Sequence, residues 1–314
     1  MSLPFLILLQ FVWASSYVAQ KLALGEMPLG LVMVLRYGIA AFFFLLIGRL
    51  HFRNRFTARE WGLILFAGII NFTASPFFQL KALTLTYAVD VSILVAFEPL
   101  MTALVAVAFL GERVRFSTLI TFCIATVGVV AMSWQNGAGP FVWARLIGDF
   151  LFLAALLCEA SCSGTCKYLT EKPKNDPLAV IAWMIFTGFA VNLVIHGSLI
   201  TPQNLAAIHS RGWMALFYMA ILCSCLGYGG WVYLMKKIPL NQLALSLFLQ
   251  PLFGSIVAIA VLKEPLHRQT LFGGSLVLFS LFIWMGTRLK AVAQNRNQNE
   301  GEERKIGQPE NAET

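Results

Sequence analysis

The sequence predicts an all-α integral membrane protein of ten transmembrane helices, arranged as two inverted five-helix repeats. Three observations carry this: an apolar composition beyond what one soluble core hides, ten apolar stretches of about bilayer length, and a gapless internal repeat. Of 314 residues, 58% are hydrophobic and 12% charged, with mean hydropathy +0.74. A helix needs roughly 20 apolar residues to cross the hydrocarbon. A β-barrel would instead alternate apolar and polar residues in segments of about ten, and no such alternation dominates.

In chain order the predicted spans are 3–23, 29–50, 60–81, 87–110, 116–134, 145–168, 177–200, 211–235, 241–262 and 267–288. The first lacks a basic leader and a small-residue cleavage site and carries Trp13, Gln20 and Lys21, so it reads as a retained helix. The second follows Pro28 and holds Arg36; the third holds Asn71 and Gln79. The fourth contains Glu98-Pro99 and runs to Glu112, and the fifth closes the first repeat, residues 1–134. Gly137, Gly139 and Pro140 mark a linker at 135–144. The second repeat, 145–288, opens with the span of Glu159 and continues through Trp183, Tyr228 and Trp231, and then Gln250-Pro251. The polar stretch 289–314 is expected to be a disordered cytoplasmic tail.

Pro99 to Glu112 aligns with Pro251 to Glu264, matching at Pro, Leu, Val, Ala, Ala, Leu and Glu. A fainter echo links Ala14, Ser15 and Lys21 to Ala160, Ser161 and Lys167. The offset maps span four onto nine and one onto six. An odd unit repeated in tandem enters the membrane from opposite sides, which makes the halves inverted. The net charge of +8 reports orientation and not nucleic acid: with both termini inside, sixteen Lys and Arg fall in inside segments and six in outside ones, with Arg36 within a span. All six cysteines fall in predicted spans and read as reduced thiols.

Trp13-Ala14-Ser15-Ser16-Tyr17, Pro28 with Arg36, and Pro99 with Gly111-Glu112 form one copy of a pattern whose second copy includes Ile238-Pro239, Pro251 and Glu264-Pro265. On these residues the chain resembles the drug/metabolite transporter superfamily, of the EamA type, over about residues 3–288. The resemblance implies a ten-helix carrier of the bacterial inner membrane, often an exporter of amino acids, metabolites or drugs. Two departures stand out: Glu159 occupies the position of Trp13, and Glu98 precedes Pro99.

Proline in a helix removes one N–H donor, so Pro99 is expected to free the carbonyl of Val95, and Pro251 that of Leu247. With Glu98 and Gln250 beside them, they are read as kinked walls of a midplane site, or else as packing hinges. An ionisable group in hydrocarbon costs at least about 2.5 kcal/mol, so Glu98, Glu159 and Arg36 require partners or a wet cavity. Glu159 could cycle a proton, face a cationic substrate, or pair with Arg36. Arg36 reads as structural, either snorkelling or pairing, and Glu112 and Glu264 read as gating or interhelix contacts, or as solvated helix ends. Trp13 and Tyr17 share a helical face and offer aromatic recognition, as does Trp183 with Thr187; Ser16, Asn71 and Gln79 are polar lining.

Cys158, Cys162 and Cys166 form a stripe beside Glu159, which leaves a metal-ion carrier as an alternative, together with a membrane-embedded enzyme; small-residue packing explains the stripe equally. No nucleophile–base constellation, His-Glu-x-x-His pair, phosphate loop or repeated filter occurs. The expectation is therefore a cofactor-free carrier, not an enzyme, that works on a small molecule in the lipid bilayer, coupled to protons, to a counter-substrate or to nothing. Cargo, direction and oligomeric state are open.

Overall fold

The computed structural model describes residues 2–47, 56–98, 100–101, 105, 116–132, 142–170, 172, 174–235, 246–247, 249–283 and 286. Pro99, Glu112, most of the linker and the whole polar tail lie outside the described residues. Among those described there is no strand: the chain is an all-α membrane fold. Helices satisfy every backbone N–H and C=O within one segment, which lipid requires because it offers no water.

Among the described residues, six helices are long and apolar enough to cross a membrane: α1 (Ser2–Leu24), α2 (Leu29–Ile47), α3 (Ala58–Leu83), α6 (Trp143–Thr170), α7 (Pro177–His196) and α8 (Ser210–Leu234). Four others are apolar but shorter over the described residues: α4 (Ala88–Phe97), α5 (Phe116–Met132), α9 (Leu249–Leu262) and α10 (Arg268–Ile283). A short helix, Pro202–Ala206, lies between α7 and α8.

The packing order places the later site. α1 lies against α9 and α8, α2 against α7 and α8, α3 against α6 and α7, and α4 against α9 and α6. One apolar core joins Tyr17, Leu94, Phe97, Phe152, Leu156 and Ala258, and a second joins Tyr37, Phe72, Ile185 and Val232. Phe42, Val194, Met214 and Phe282 point outward, as a lipid-facing surface demands. Helices approach most closely where side chains vanish: a Cβ on Gly128 would lie 2.6 Å from the Gly273 carbonyl, which joins α5 to α10.

Two helices are wound more loosely in their middles. α3 is π-helical over Ile70–Ala74, and α8 over Tyr218–Gly227. Nothing in the residue pattern announced either segment; both hold carbonyls that side chains from other helices use, as when Trp13 Nε1 donates to Cys223 O at 3.1 Å and Asn192 Nδ2 to Phe72 O at 2.8 Å. The proline expectation needs correction. The Val95 carbonyl accepts from the N–H of Glu98, and the Leu247 carbonyl accepts from that of Gln250 at 3.0 Å. Both carbonyls thus keep a local partner through tighter i→i−3 bonds.

The helix ends are tied across the molecule. Thr57 and Glu60 form a capping box at α3, and Glu60 also receives Lys172 and Lys174 from the α6–α7 connection, at 3.0 Å each. Hydrogen bonding to the Tyr168 hydroxyl and to Glu60 raises the pKa of Lys172 above its ordinary value. At the start of α8, His209 donates its backbone N–H (3.1 Å) and faces with Nδ1 (2.8 Å) the carboxylate of Glu26, from the α1–α2 connection. Glu264 does the same for α4, with 3.0 Å bonds from the N–H groups of Ala88 and Val89. Its approach depends on Lys263, which ends α9 in the left-handed region at φ 56°.

Candidate functional site

Glu159 sits in the middle of α6, facing α3. Its Oε1 accepts from Ser75 Oγ at 2.9 Å and from Gln79 Nε2, and Gln79 Nε2 also lies 3.4 Å from Ser75 Oγ. Ser75 and Gln79 are one turn apart, so they share the α3 face that follows the π-helical segment. From α1, Gln20 Nε2 reaches Gln79 Oε1 at 3.4 Å. Gln20 is 1% exposed, and its Oε1 has no hydrogen-bond partner. A buried amide oxygen without a donor is uncommon, because desolvation costs about 1–3 kcal/mol that nothing recovers.

Charges gather around this chain of amides. Arg36 of α2 and Tyr17 of α1 lie within electrostatic range of Glu159, as do Tyr228 of α8 and Glu98 at the end of α4. Arg36 is buried, with Nε donating to Ser224 Oγ at 3.1 Å and its guanidinium 5.2 Å from the ring of Tyr37. Ser224 belongs to the π-helical segment of α8, so looser winding there turns a hydroxyl toward α2. Arg36 is held inside the bundle; the snorkelling alternative does not describe it. Trp13 stacks on Trp231 (5.2 Å) and Tyr228 (5.8 Å), and Tyr228 continues onto Phe72 (5.0 Å).

Other predicted residues have different partners. Ser16 bonds back to Trp13 O at 2.6 Å along its own helix, and Asn71 is buried within the π-helical segment of α3. Cys162 is buried against the Ala67 carbonyl at 3.5 Å, and among the described residues no three His, Cys, Asp or Glu side chains converge as metal ligands. Trp183 stands in a separate aromatic group, 4.9 Å from Trp61 and 5.8 Å from Phe186. Gln250 is buried and donates to Gln10 Oε1 at 2.7 Å, and Gln10 donates to Ser246 at 2.7 Å; Pro251 is buried beside it. Glu264 lies at the end of the bundle with Lys21, 2.7 Å away.

A buried ionic network lies at the same end of the bundle, among residues the sequence did not single out. Arg145 donates to both oxygens of Asp90 at 2.6 and 2.7 Å and to Thr270 at 2.7 Å, and Thr86 bridges toward Asp149 at 2.7 Å. Arg145, at the edge of the predicted span 145–168, is 4% exposed. Asp90 and Asp149, acidic residues within apolar stretches, were the signal available for it.

The model of the EamA-like transporter family matches residues 1–134 and 146–286. The chain belongs to the EamA-like transporter family. This transporter is 24% identical over 287 residues to an Escherichia coli protein named "Probable amino-acid metabolite efflux pump", covering 88% of this chain and 92% of that one. It is also 24% identical to a Streptantibioticus cattleyicolor protein named "Probable terminal-alkyne amino-acid exporter", over 65% and 68% of the two chains. An "Uncharacterized transporter" of Archaeoglobus fulgidus is matched at 24% over 66% of its own length. One solved crystal structure shares the fold with a TM-score of 0.61, at 17% identity, over 92% of this chain and 98% of the other.

Proposed function

We propose that this transporter is an exporter of amino acids and related small metabolites, working by alternating access around the site centred on Glu159. The observation that carries the reading is the half-buried carboxylate of Glu159 in mid-membrane, bonded across to Ser75 and Gln79, with an unpaired Gln20 oxygen on the same chain of amides. Membrane insertion penalises such groups, and a cargo that makes polar contacts offsets the penalty. The names of the Escherichia coli and Streptantibioticus relatives support amino-acid cargo.

Two inverted halves, 1–134 and 145–288, supply the moving parts. Exchanging α1 with α6, α2 with α7, α3 with α8 and α4 with α9 maps the observed packing pairs onto one another: α1–α9 onto α6–α4, α1–α8 onto α6–α3, and α2–α8 onto α7–α3. The π-helical segments of α3 and α8 fall at equivalent places, and the i→i−3 bonds before Pro99 and Pro251 are equivalent as well. An axis in the membrane plane with a site beside it is the arrangement by which one half rocks against the other. Both termini face the cytoplasm of an inner membrane on the charge bias, and protons or a counter-substrate drive the cycle.

Counterflow in proteoliposomes tests the reading: vesicles loaded with unlabelled amino acids should accumulate the labelled amino acid. Glu159→Ala should abolish accumulation while Trp183→Phe, in the separate aromatic group, leaves it. Undiminished counterflow with Glu159→Ala would remove the site.

A further inference from the structure

Two buried arginines in this protein are held in contrasting ways. Arg145, 4% exposed, commits Nε and Nη2 to a carboxylate and to a hydroxyl. Arg36, 6% exposed, makes one hydrogen bond among the described residues, from Nε to Ser224; neither Nη donates to any of them. A guanidinium presents five N–H donors in a rigid planar fork, and the Arg36 Nη groups, which are not among the fully enclosed unpaired atoms, keep the residue's small remaining exposure with no protein acceptor on them among the described residues. The nearby carboxylate does not relieve this, since Arg36 and Glu159 feel each other's charge yet form no ion pair. The mirror shortage lies at Gln20, a buried acceptor without a donor, joined to Glu159 through Gln79.

We infer that Arg36 is the carboxylate-recognition residue of the cargo site, taking the acidic group of a dipolar amino-acid-like molecule whose ammonium is received by Glu159 and Gln20 Oε1. The inference rests on the exporter reading above and adds the pole of the cargo that each residue holds. Fork geometry matches the two oxygens of a carboxylate, which a lysine ammonium cannot do. An ammonium carries three donors and no acceptor, which suits a carboxylate together with an amide oxygen. The failure of Arg36 and Glu159 to pair with each other is what a site for a molecule bearing both charges requires. If they paired, cargo would have to break a buried ion pair before binding.

The test is binding to purified protein, measured by calorimetry, for L-leucine and L-phenylalanine, each beside its amide and its decarboxylated amine. The wild type should prefer each acid over its amide by at least about tenfold, the scale of one charge-assisted hydrogen bond. Arg36→Gln should erase that preference by weakening the acids alone; Glu159→Gln should weaken acids and amines together. Arg36→Lys, which keeps the charge but not the fork, should leave a reduced preference and decides the matter if Arg36→Gln does not fold. An unchanged acid preference in either Arg36 variant would overturn the inference while leaving the exporter reading intact. Equal wild-type affinity for acids and amides would do the same, and no wild-type binding of any probe, with no counterflow, would overturn both.

Discussion

Helix α4 begins at Tyr87 without a capping side chain of its own, and the missing acceptor comes from Glu264, 176 residues away. Its two oxygens take the N–H groups of Ala88 and Val89 at 3.0 Å each, while Lys21 stands 2.7 Å off and also reaches the Thr86 carbonyl at 2.9 Å. An N-cap is worth about 1 kcal/mol, and hydrogen bonds to a charged group about 1.5–3 kcal/mol. Glu264 is 7% exposed, so water does not replace what is lost. Glu264→Ala should therefore destabilise by about 3 kcal/mol, and Glu264→Gln, which keeps one amide oxygen for the helix, by about half of that. Lys21→Met should cost about 1 kcal/mol or less, because the Lys21 side chain is 27% exposed and the α4 contacts survive. Equilibrium unfolding in mixed micelles measures the order. If Lys21→Met proved as damaging as Glu264→Ala, the ion pair and not the cap would hold this end, and the reasoning would fail.

Three further outcomes follow from the same geometry. Arg145→Ala should destabilise by about 3–5 kcal/mol in the same unfolding assay, since it strands the buried Asp90 carboxylate. Lys263→Gly should be neutral or stabilising by up to about 1 kcal/mol, because glycine adopts φ 56° without steric penalty; a marked loss would mean that the Lys263 side chain, not its backbone, matters. Hydrogen bonds from the His209 ring and backbone hold the Glu26 carboxyl below its ordinary pKa. A lowered folded value favours the folded state above the unfolded pKa, and that advantage disappears as pH falls through the folded one. Glu26→Gln should therefore converge with wild type in strong acid and differ from it near neutrality, and less so in high salt; parallel curves throughout would refute the pairing.

The membrane class and the helical segments were legible because they depend on quantities that accumulate along the chain. Apolar length fixes a crossing, and lipid allows a crossing backbone little besides a helix. The motif resemblance likewise needed only residues in order, and it led to the family shown by the matches at 1–134 and 146–286. Glu159 and Gln79 stood out because polar groups in apolar stretches are costly, and the structure brings them together; Trp183, read as an aromatic recognition surface, packs with Trp61.

What only the tertiary structure decided is which partner each group has. Glu264 caps a helix from which 175 residues separate it in sequence, Arg145 is buried on Asp90, and Ser224 turns toward Arg36 because α8 is wound as a π-helix there. The carbonyls that Pro99 and Pro251 were expected to release are taken by a local change of winding. Composition and periodicity determine that a segment is buried in lipid, since burial is a property of one residue at a time. A hydrogen bond belongs to two residues, and in a helical bundle the second is set by crossing angle, winding and depth, none of which is written locally in the chain.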